Sequence, residues 1–122
     1  MITEDYVSYE TAKLLKEKGF DEATFHDYDE KGRQWFEEVL VNHNSQGGVA
    51  CPTLQMAMKW LRAEKKLYIN IWADPKDAEH NNFEIVYRMT VFSGNSNFGT
   101  HEFPSYEEAA EAGIKYCLEK LI

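Results

Sequence analysis

Four histidines carry the most versatile chemistry in this chain, because an imidazole can bind a metal or transfer a proton near neutral pH. They are His26, His43, His80 and His101, and Asp27, Asp29 or Cys51 could complete a ligand set with them. None stands at the spacing of a common metal motif such as His-x3-His or Cys-x2-Cys. The pattern favours dispersed surface histidines, and we predict no metal and no cofactor. The alternative is a metal-dependent or small-molecule-binding, enzyme-like domain that uses His26 and Asp27.

Cys51 could act as a nucleophile with His43 as its base, since a glycine-containing loop separates them. No third residue that would orient the base stands near them, and no oxyanion motif is present. A cysteine directly before Pro52, at the entrance of a helix, is more typical of packing. The glycines of the chain match neither of the phosphate-binding loop motifs. We therefore predict no catalytic residue.

The net charge is −8, from 13 Lys and Arg against 21 Asp and Glu. Binding to a phosphate backbone needs clustered Lys and Arg, so this balance argues against a nucleic-acid partner and against an anionic membrane surface. An acidic factor that mimics nucleic acid and blocks restriction enzymes is a further alternative. It would require carboxylates lined up on one face, whereas the sequence scatters them over predicted helix exteriors and turns.

The length of 122 residues suits a single domain, which we expect to span residues 1–122. No apolar run is long enough to cross a membrane. The acidic first residues do not resemble a signal peptide. The two cysteines, Cys51 and Cys117, stand far apart in sequence. Two reduced thiols are typical of a cytosolic protein, and we predict a cytoplasmic location.

Residues 105–122 form the clearest element of the sequence. Ser105 and Glu108 have the spacing of a capping box at a helix start. Apolar and small residues then recur at helical spacing, at Tyr106, Ala109, Ala110, Gly113, Ile114, Cys117, Leu118 and Leu121. The pattern predicts an amphipathic helix whose middle is small enough to approach a sheet closely.

Two more helices and four strands are predicted from caps and hydrophobic spacing. Ser8 caps a first helix that ends at Gly19, and Thr53 caps a second helix that ends at Lys65 and Lys66. The strands are residues 23–28, 34–41, 67–73 and 83–92; residues 42–48 and 93–99 are predicted loops, and residues 74–77 a strand-breaking turn. Residues 34–41 carry large apolar side chains at both odd and even positions, so their buried face stays undecided.

The order α-β-β-α-β-β-α, with short turns between neighbouring strands, predicts an α+β fold. We expect a two-layer sandwich in which helices lie mainly on one face of a four-stranded antiparallel sheet.

The other face of that sheet would expose Tyr68, Asn70, Trp72 and Arg88, together with Val86 and Thr90. Tyr, Trp and Arg often anchor protein contacts, so this face is the predicted binding surface. It would serve a protein partner or self-association in a non-enzymatic interaction domain. The alternative is that these aromatic residues only stabilise cross-strand pairs.

Three segments are similar to segments of small uncharacterised proteins from Bacteroides-type gut bacteria and their prophages. They are residues 51–62 (Cys-Pro-Thr-Leu-Gln-Met-Ala-Met-Lys-Trp-Leu-Arg), residues 16–20 (Lys-Glu-Lys-Gly-Phe) and residues 114–118 (Ile-Lys-Tyr-Cys-Leu). The resemblance implies a cytoplasmic protein encoded on a mobile element. It implies no activity and transfers no functional residues to this chain.

Overall fold

The computed structural model describes residues 1–76 and 84–122 and has the predicted α+β class and element order. The helices are α1 (Tyr9–Glu17), α2 (Leu54–Lys65) and α3 (Tyr106–Tyr116), and α3 continues as a π-helical segment, Cys117–Leu121. The strands are β1 (Thr24–Tyr28), β2 (Gln34–Val41), β3 (Val49–Ala50), β4 (Tyr68–Lys76), β5 (Glu84–Ser93) and β6 (Ser96–Phe103). Three residues with predicted roles lie outside the described residues. They are Asp77 of the predicted turn, His80 of the possible ligand set and Phe83 of a predicted strand.

All three helices begin at the predicted caps. The side chains of Ser8, Thr53 and Ser105 accept hydrogen bonds from the backbone N–H three residues later. Each bond satisfies a donor that the first turn of a helix would otherwise leave free. Gly19 follows α1 with φ of +97°, as expected of a residue that ends a helix in the left-handed region. Local chemistry therefore fixes where the helices start.

The strands divide between two antiparallel sheets, whereas the sequence predicted one four-stranded sheet. Among the described residues the orders are β2-β1-β3 and β4-β5-β6. Two strands were not predicted in full: β3 directly follows the predicted loop at residues 42–48, and β6 begins within the predicted loop at residues 93–99 and continues through residues 100–103, where the sequence allowed a short extended piece. The short β3 pairs with β1, and β6 pairs with β5. The hairpin of β1 and β2 and the hairpin of β4 and β5 thus belong to separate sheets.

β4 is longer than predicted, because it continues through Asp74 and Pro75 to Lys76. Asp74 is paired with Val86 and Pro75 with Ile85. Proline is tolerated at the edge of a sheet, where its missing N–H need not serve a second neighbour. The predicted break at residue 74 is therefore wrong.

The core lies between the helices and the inner face of the second sheet, and α3 covers that face. Ala109, Ala110 and Ile114 are fully buried. A Cβ atom at Gly113 would lie 2.9 Å from Cγ2 of Ile69 and 3.3 Å from Cγ of Met89. The small middle of α3 lets the helix backbone approach β4 and β5, as the sequence predicted.

Candidate functional site

The predicted binding residues of β4 lie on the face of the second sheet that is turned away from the helices. Tyr68 is 45% exposed and Trp72 is 37% exposed, and Asn70 between them is also exposed. Ile69 packs against the core from the opposite side of the same strand. The alternation of side chains along β4 therefore has the predicted direction. Trp72 is paired across the sheet with Arg88, which brings the four predicted residues onto one surface.

Arg88 is held by two carboxylates of the same surface. Its Nε donates to Oδ2 of Asp74 at 2.5 Å, and its Nη2 donates to Oε1 of Glu102 at 3.0 Å. These bonds, first the one to Asp74, raise the pKa of Arg88 above its ordinary value. The guanidinium is therefore already engaged within the protein.

Val86 and Thr90 were expected to be exposed on this surface, and that expectation is wrong. Val86 and Thr90 are both buried. β5 is the central strand of its sheet, so short side chains on it stand between the longer side chains of two neighbouring strands. The exposed part of the face is narrower than predicted.

β2 buries neither of its faces, although the sequence suggested that one would be covered. Trp35, Phe36, Val39 and Leu40 are 54%, 64%, 65% and 57% exposed. Phe25 of the neighbouring β1 is also exposed. Neighbours along β2, such as Trp35 and Phe36, project to opposite faces of the strand. We call these four residues and Phe25, which together include both faces of the strand, the β2 surface. A small domain rarely leaves so many large apolar side chains together in water without a partner.

The pairing of β1 with β2 explains this exposure. Thr24 is paired with Val41 and His26 with Phe36, so Phe25 alone stands opposite residues 37–40. The extra residues make an irregularity that carries β2 away from a regular ladder. β2 also has no strand on its other side among the described residues. Sequence analysis missed this surface, yet large apolar residues on both sides of one strand were the signal for it.

Trp35 is held in place although it is exposed. Its Nε1 donates to Oδ2 of Asp29 at 2.9 Å, and Nε of Arg33 donates to the same oxygen at 2.7 Å. The backbone N–H groups of Lys31 and Arg33 donate to Oδ1 of Asp29. These bonds, first the one from Trp35, lower the pKa of Asp29 well below its ordinary value. The turn before β2 thus fixes the orientation of an exposed indole ring.

An apolar groove of about 320 Å³ runs beside the β2 surface. Phe36 and Leu40 of β2 line it together with Pro52 and Met56. The ring of His26 also lines the groove; its centroid lies 4.3 Å from that of Tyr6 and 5.2 Å from that of Phe36. His26 is therefore part of an aromatic stack.

An acidic cleft of about 540 Å³ shares a lining residue, Tyr6, with the apolar groove. Its carboxylates are those of Glu4, Asp5, Glu107, Glu108 and Glu111. Gln34, the first residue of β2, also lines it. Glu111 accepts hydrogen bonds from the hydroxyls of Ser8 and Thr11. The sequence predicted scattered carboxylates, but folding collects five of them in one cleft.

The candidate nucleophile Cys51 does not have the surroundings of one. Its side chain is buried, and its thiol donates to the carbonyl of Val7 at 3.9 Å. Burial raises the pKa of the Cys51 thiol to about 11. The ring of His43 instead faces Asp27, with 3.8 Å between Nδ1 and Oδ2. A buried thiol with a raised pKa supplies little thiolate at neutral pH.

His26 and Asp27, the residues of the enzyme-like alternative, point in different directions. His26 lies in the aromatic stack of the groove, whereas Asp27 approaches His43. Neighbouring residues of a strand project to opposite faces, which accounts for the separation. In the part of the chain that the structure describes, no three His, Cys, Asp or Glu side chains form a group that could hold a metal.

Comparison of the chain with protein-family models, with curated proteins and with solved structures finds no match. Of the described helices, none has both the length and the hydropathy needed to span a bilayer.

Proposed function

We propose that this protein is a small non-enzymatic domain that binds another protein, and that the β2 surface is its main contact. The observation that carries the proposal is the exposure of Trp35, Phe36, Val39 and Leu40, each more than half exposed on one edge strand. Burying an aliphatic or aromatic side chain of this size contributes about 1.5–3 kcal/mol. Because each side chain is more than half exposed, the isolated domain gains less than half of this free energy, and a complex would gain the rest.

The edge position of β2 supports the same proposal. Natural proteins usually shield an edge strand with charge, proline or a bulge, because its free backbone groups can pair with another chain. β2 has a bulge and two glutamates, Glu37 and Glu38, but it keeps four large apolar residues around them. This combination limits unspecific aggregation and still leaves a surface for a specific partner.

The fixed orientation of Trp35 also supports the β2 surface as the main contact. Asp29 holds the indole of Trp35 before any partner arrives, so binding need not order that side chain. Fixing a contact residue in advance lowers the entropic cost of association. Large, orientationally fixed aromatic residues are common anchors of protein interfaces.

A second contact surface is proposed on the outer face of β4 and β5, at Tyr68, Asn70, Trp72 and Arg88. The exposed rings of Tyr68 and Trp72 support it. It ranks below the β2 surface, because its rings are less exposed and Arg88 is already paired with Asp74 and Glu102.

The test is affinity capture with chemical crosslinking from the cell of origin, quantified by mass spectrometry. The baits are the wild type, the double variant Phe36→Ser/Leu40→Ser and the double variant Tyr68→Ser/Trp72→Ser. Ile85→Ser/Ile122→Ser serves as a matched control, since both residues are exposed and apolar but lie outside the two surfaces. Circular dichroism and thermal melting confirm that each bait is folded.

We expect the β2 variant to lose at least one stoichiometric protein partner that the wild type and the control retain. If only the Tyr68→Ser/Trp72→Ser variant loses a partner, the main contact is the outer face of the second sheet instead. Retention of every partner by both variants, at the level of the control, would refute an interaction role for either surface.

A further inference from the structure

We propose that the partner of the β2 surface is an extended protein segment that combines an apolar anchor with nearby Lys or Arg. The anchor would enter the apolar groove, and the cationic side chains would enter the acidic cleft. This inference rests on the proposed function and specifies the chemistry of the partner.

The apolar groove has the size and lining for the anchor. Its volume of about 320 Å³ lies at the lower end of known ligand pockets and suits one or two large side chains. Phe36 and Leu40 belong both to the groove and to the β2 surface. A segment that covers the exposed strand would therefore also fill the groove.

The acidic cleft supplies the charge complement. Five carboxylates line it, and none of its described lining residues is Lys or Arg. A cation placed there would reduce the mutual repulsion of these carboxylates. The whole chain carries a net charge of −8, which also favours the approach of a basic partner.

The two cavities lie close enough for one short segment to reach both. Gln34 lines the acidic cleft, whereas Phe36 and Leu40 of the same strand line the apolar groove. Gln34 and Leu40 are six positions apart, a distance that an extended chain covers in roughly 20 Å. Tyr6 belongs to the lining of both cavities. A partner segment of about six to eight residues alongside β2 would contact the groove at one end and the cleft at the other.

Charge also decides against a second copy of this chain as the occupant. An antiparallel alignment that pairs the whole of β2 with itself places Glu37 opposite Glu38 of the other copy, twice. Like charges that face each other across a strand pair are destabilising. If the acidic clefts of the two copies came together, their carboxylates would repel each other in the same way. A basic segment of a different protein satisfies both the apolar and the acidic parts of the site.

The experiment is a selection of random twelve-residue peptides, displayed on phage, against the immobilised full chain. Enriched peptides are synthesised, and their dissociation constants are measured by fluorescence anisotropy at 50 and 500 mM NaCl. Three variants are compared with the wild type: Phe36→Ser/Leu40→Ser, the cleft variant Glu4→Gln/Asp5→Asn/Glu107→Gln, and the control Glu17→Gln/Glu64→Gln/Glu84→Gln. The control removes the same charge from exposed positions outside the cleft.

We expect enriched peptides to contain an aromatic or branched apolar residue together with Lys or Arg. Their affinity should fall at least tenfold with the Phe36 and Leu40 variant and at least fivefold with the cleft variant. The control should change it less than twofold, and high salt should weaken binding to the wild type.

Peptides that need Phe36 and Leu40 but lack basic residues, and whose binding ignores salt and the cleft variant, would overturn this inference and leave the proposed function intact. A dimer in light scattering that Phe36→Ser/Leu40→Ser dissociates would overturn it in favour of a second copy. If no enriched peptide depends on Phe36 or Leu40, and affinity capture finds no β2-dependent partner, the proposed function itself fails.

Discussion

The indole Nε1 of Trp35 lies 2.9 Å from Oδ2 of Asp29 and donates a hydrogen bond to it, although the ring is more than half exposed. Asp29 also accepts bonds from Arg33 and from two backbone N–H groups of its turn. One carboxylate thus joins the turn between β1 and β2 to the largest side chain of the β2 surface. These bonds favour the ionised form of Asp29, and we expect the hold on the indole to depend on pH.

This dependence gives a pH prediction for the variant Asp29→Asn. The pKa of Asp29 is lowered in the folded protein, first by the bond from Trp35. Folding therefore favours the ionised form, and this stabilisation is fully present above the ordinary aspartate pKa of about 4. It is lost as the pH falls through the lower pKa of the folded state. We expect the difference in melting temperature between wild type and Asp29→Asn to be largest near pH 6 and to shrink steadily towards pH 2.

Differential scanning fluorimetry from pH 2 to pH 7 measures this difference, and a carbon-13 NMR titration of the Asp29 carboxyl reports its pKa directly. Glu30→Gln is the control, since it removes a charge from the same turn without removing an acceptor of Trp35. A difference between wild type and Asp29→Asn that stays constant over the whole range would contradict the role assigned to the ionised carboxylate.

The two cysteines should be unreactive in the folded protein. Cys51 and Cys117 are free and buried, and burial raises their thiol pKa to about 11 and about 12. At pH 8 only roughly one Cys51 side chain in a thousand would be a thiolate, and even that one would be shielded from a reagent. We expect Ellman's reagent to modify neither thiol within an hour in buffer and both within minutes in 6 M guanidinium chloride.

A Gln46→Cys variant provides the comparison, because residue 46 is exposed and a thiol there should react at once in the folded state. Rapid native-state labelling of Cys51, followed by peptide mapping, would show an accessible thiolate. That result would reopen the hypothesis that Cys51 acts as a nucleophile.

The helices could be predicted from sequence because their signals are local. Ser8, Thr53 and Ser105 each bond to a backbone N–H only three residues away, so a few neighbouring residue types suffice to place them. The spacing of Ala109, Gly113 and similar residues likewise fixes the buried face of α3. These relationships do not depend on the rest of the fold.

The sheets were harder to predict because their partners are distant. Ser96 and Asn97 are polar and typical of a loop, yet they pair with Ser93 and Phe92 and begin β6. Pro75 is typical of a strand end, but β5 extends far enough to pair with it through Ile85. In both places a tertiary partner overrides local propensity.

The candidate site was predictable in part. Alternation along β4 was sufficient to place Tyr68 and Trp72 on one exposed face. The exposure of Phe36 and Leu40 could not be deduced in the same way, because it depends on the irregular pairing of β1 with β2. The acidic cleft was missed because its carboxylates come from the N-terminal segment and from α3, about 100 residues apart.

Tyr28 should contribute more to stability than Tyr9, although both hydroxyls donate to a carbonyl. Tyr28 Oη lies 2.6 Å from the carbonyl of Val7, a residue that is itself fully buried. The N–H of Val7 in turn donates to the carbonyl of Pro52. Tyr28 therefore fastens the N-terminal segment between β1 and the start of α2. We expect Tyr28→Phe to lower the free energy of unfolding by about 0.5–1.5 kcal/mol.

Tyr9→Phe is the matched variant, since the hydroxyl of Tyr9 is exposed and 3.4 Å from the carbonyl of Glu30. Its effect in urea denaturation should be well below that of Tyr28→Phe. Hydrogen exchange of the Val7 amide should accelerate in Tyr28→Phe only. Equal effects of the two variants on stability and exchange would mean that Tyr28 does not hold the N-terminal segment.

Gly113 should tolerate no side chain larger than alanine. In a helix without neighbours, Gly→Ala stabilises by about 1 kcal/mol. Here the new Cβ would lie 2.9 Å from Cγ2 of Ile69, closer than real contacts allow, so that gain should be cancelled or reversed. A valine would push α3 away from β4 and β5, and overpacking of this kind costs about 1–3 kcal/mol. We expect Gly113→Val to lower the free energy of unfolding by that amount.

Urea denaturation compares Gly113→Ala and Gly113→Val with Glu107→Val, which places valine at an exposed position of the same helix. The exposed valine costs its weaker helix propensity and the favourable interaction of Glu107 with the helix dipole, whereas the valine at residue 113 must displace Ile69 and Met89. A stabilised Gly113→Ala together with an unaffected Gly113→Val would mean that α3 lies farther from the sheet than the 2.9 Å contact requires. The close approach of α3 holds Ile69 on the inner face of β4, and it thereby leaves Tyr68 and Trp72 on the outer one.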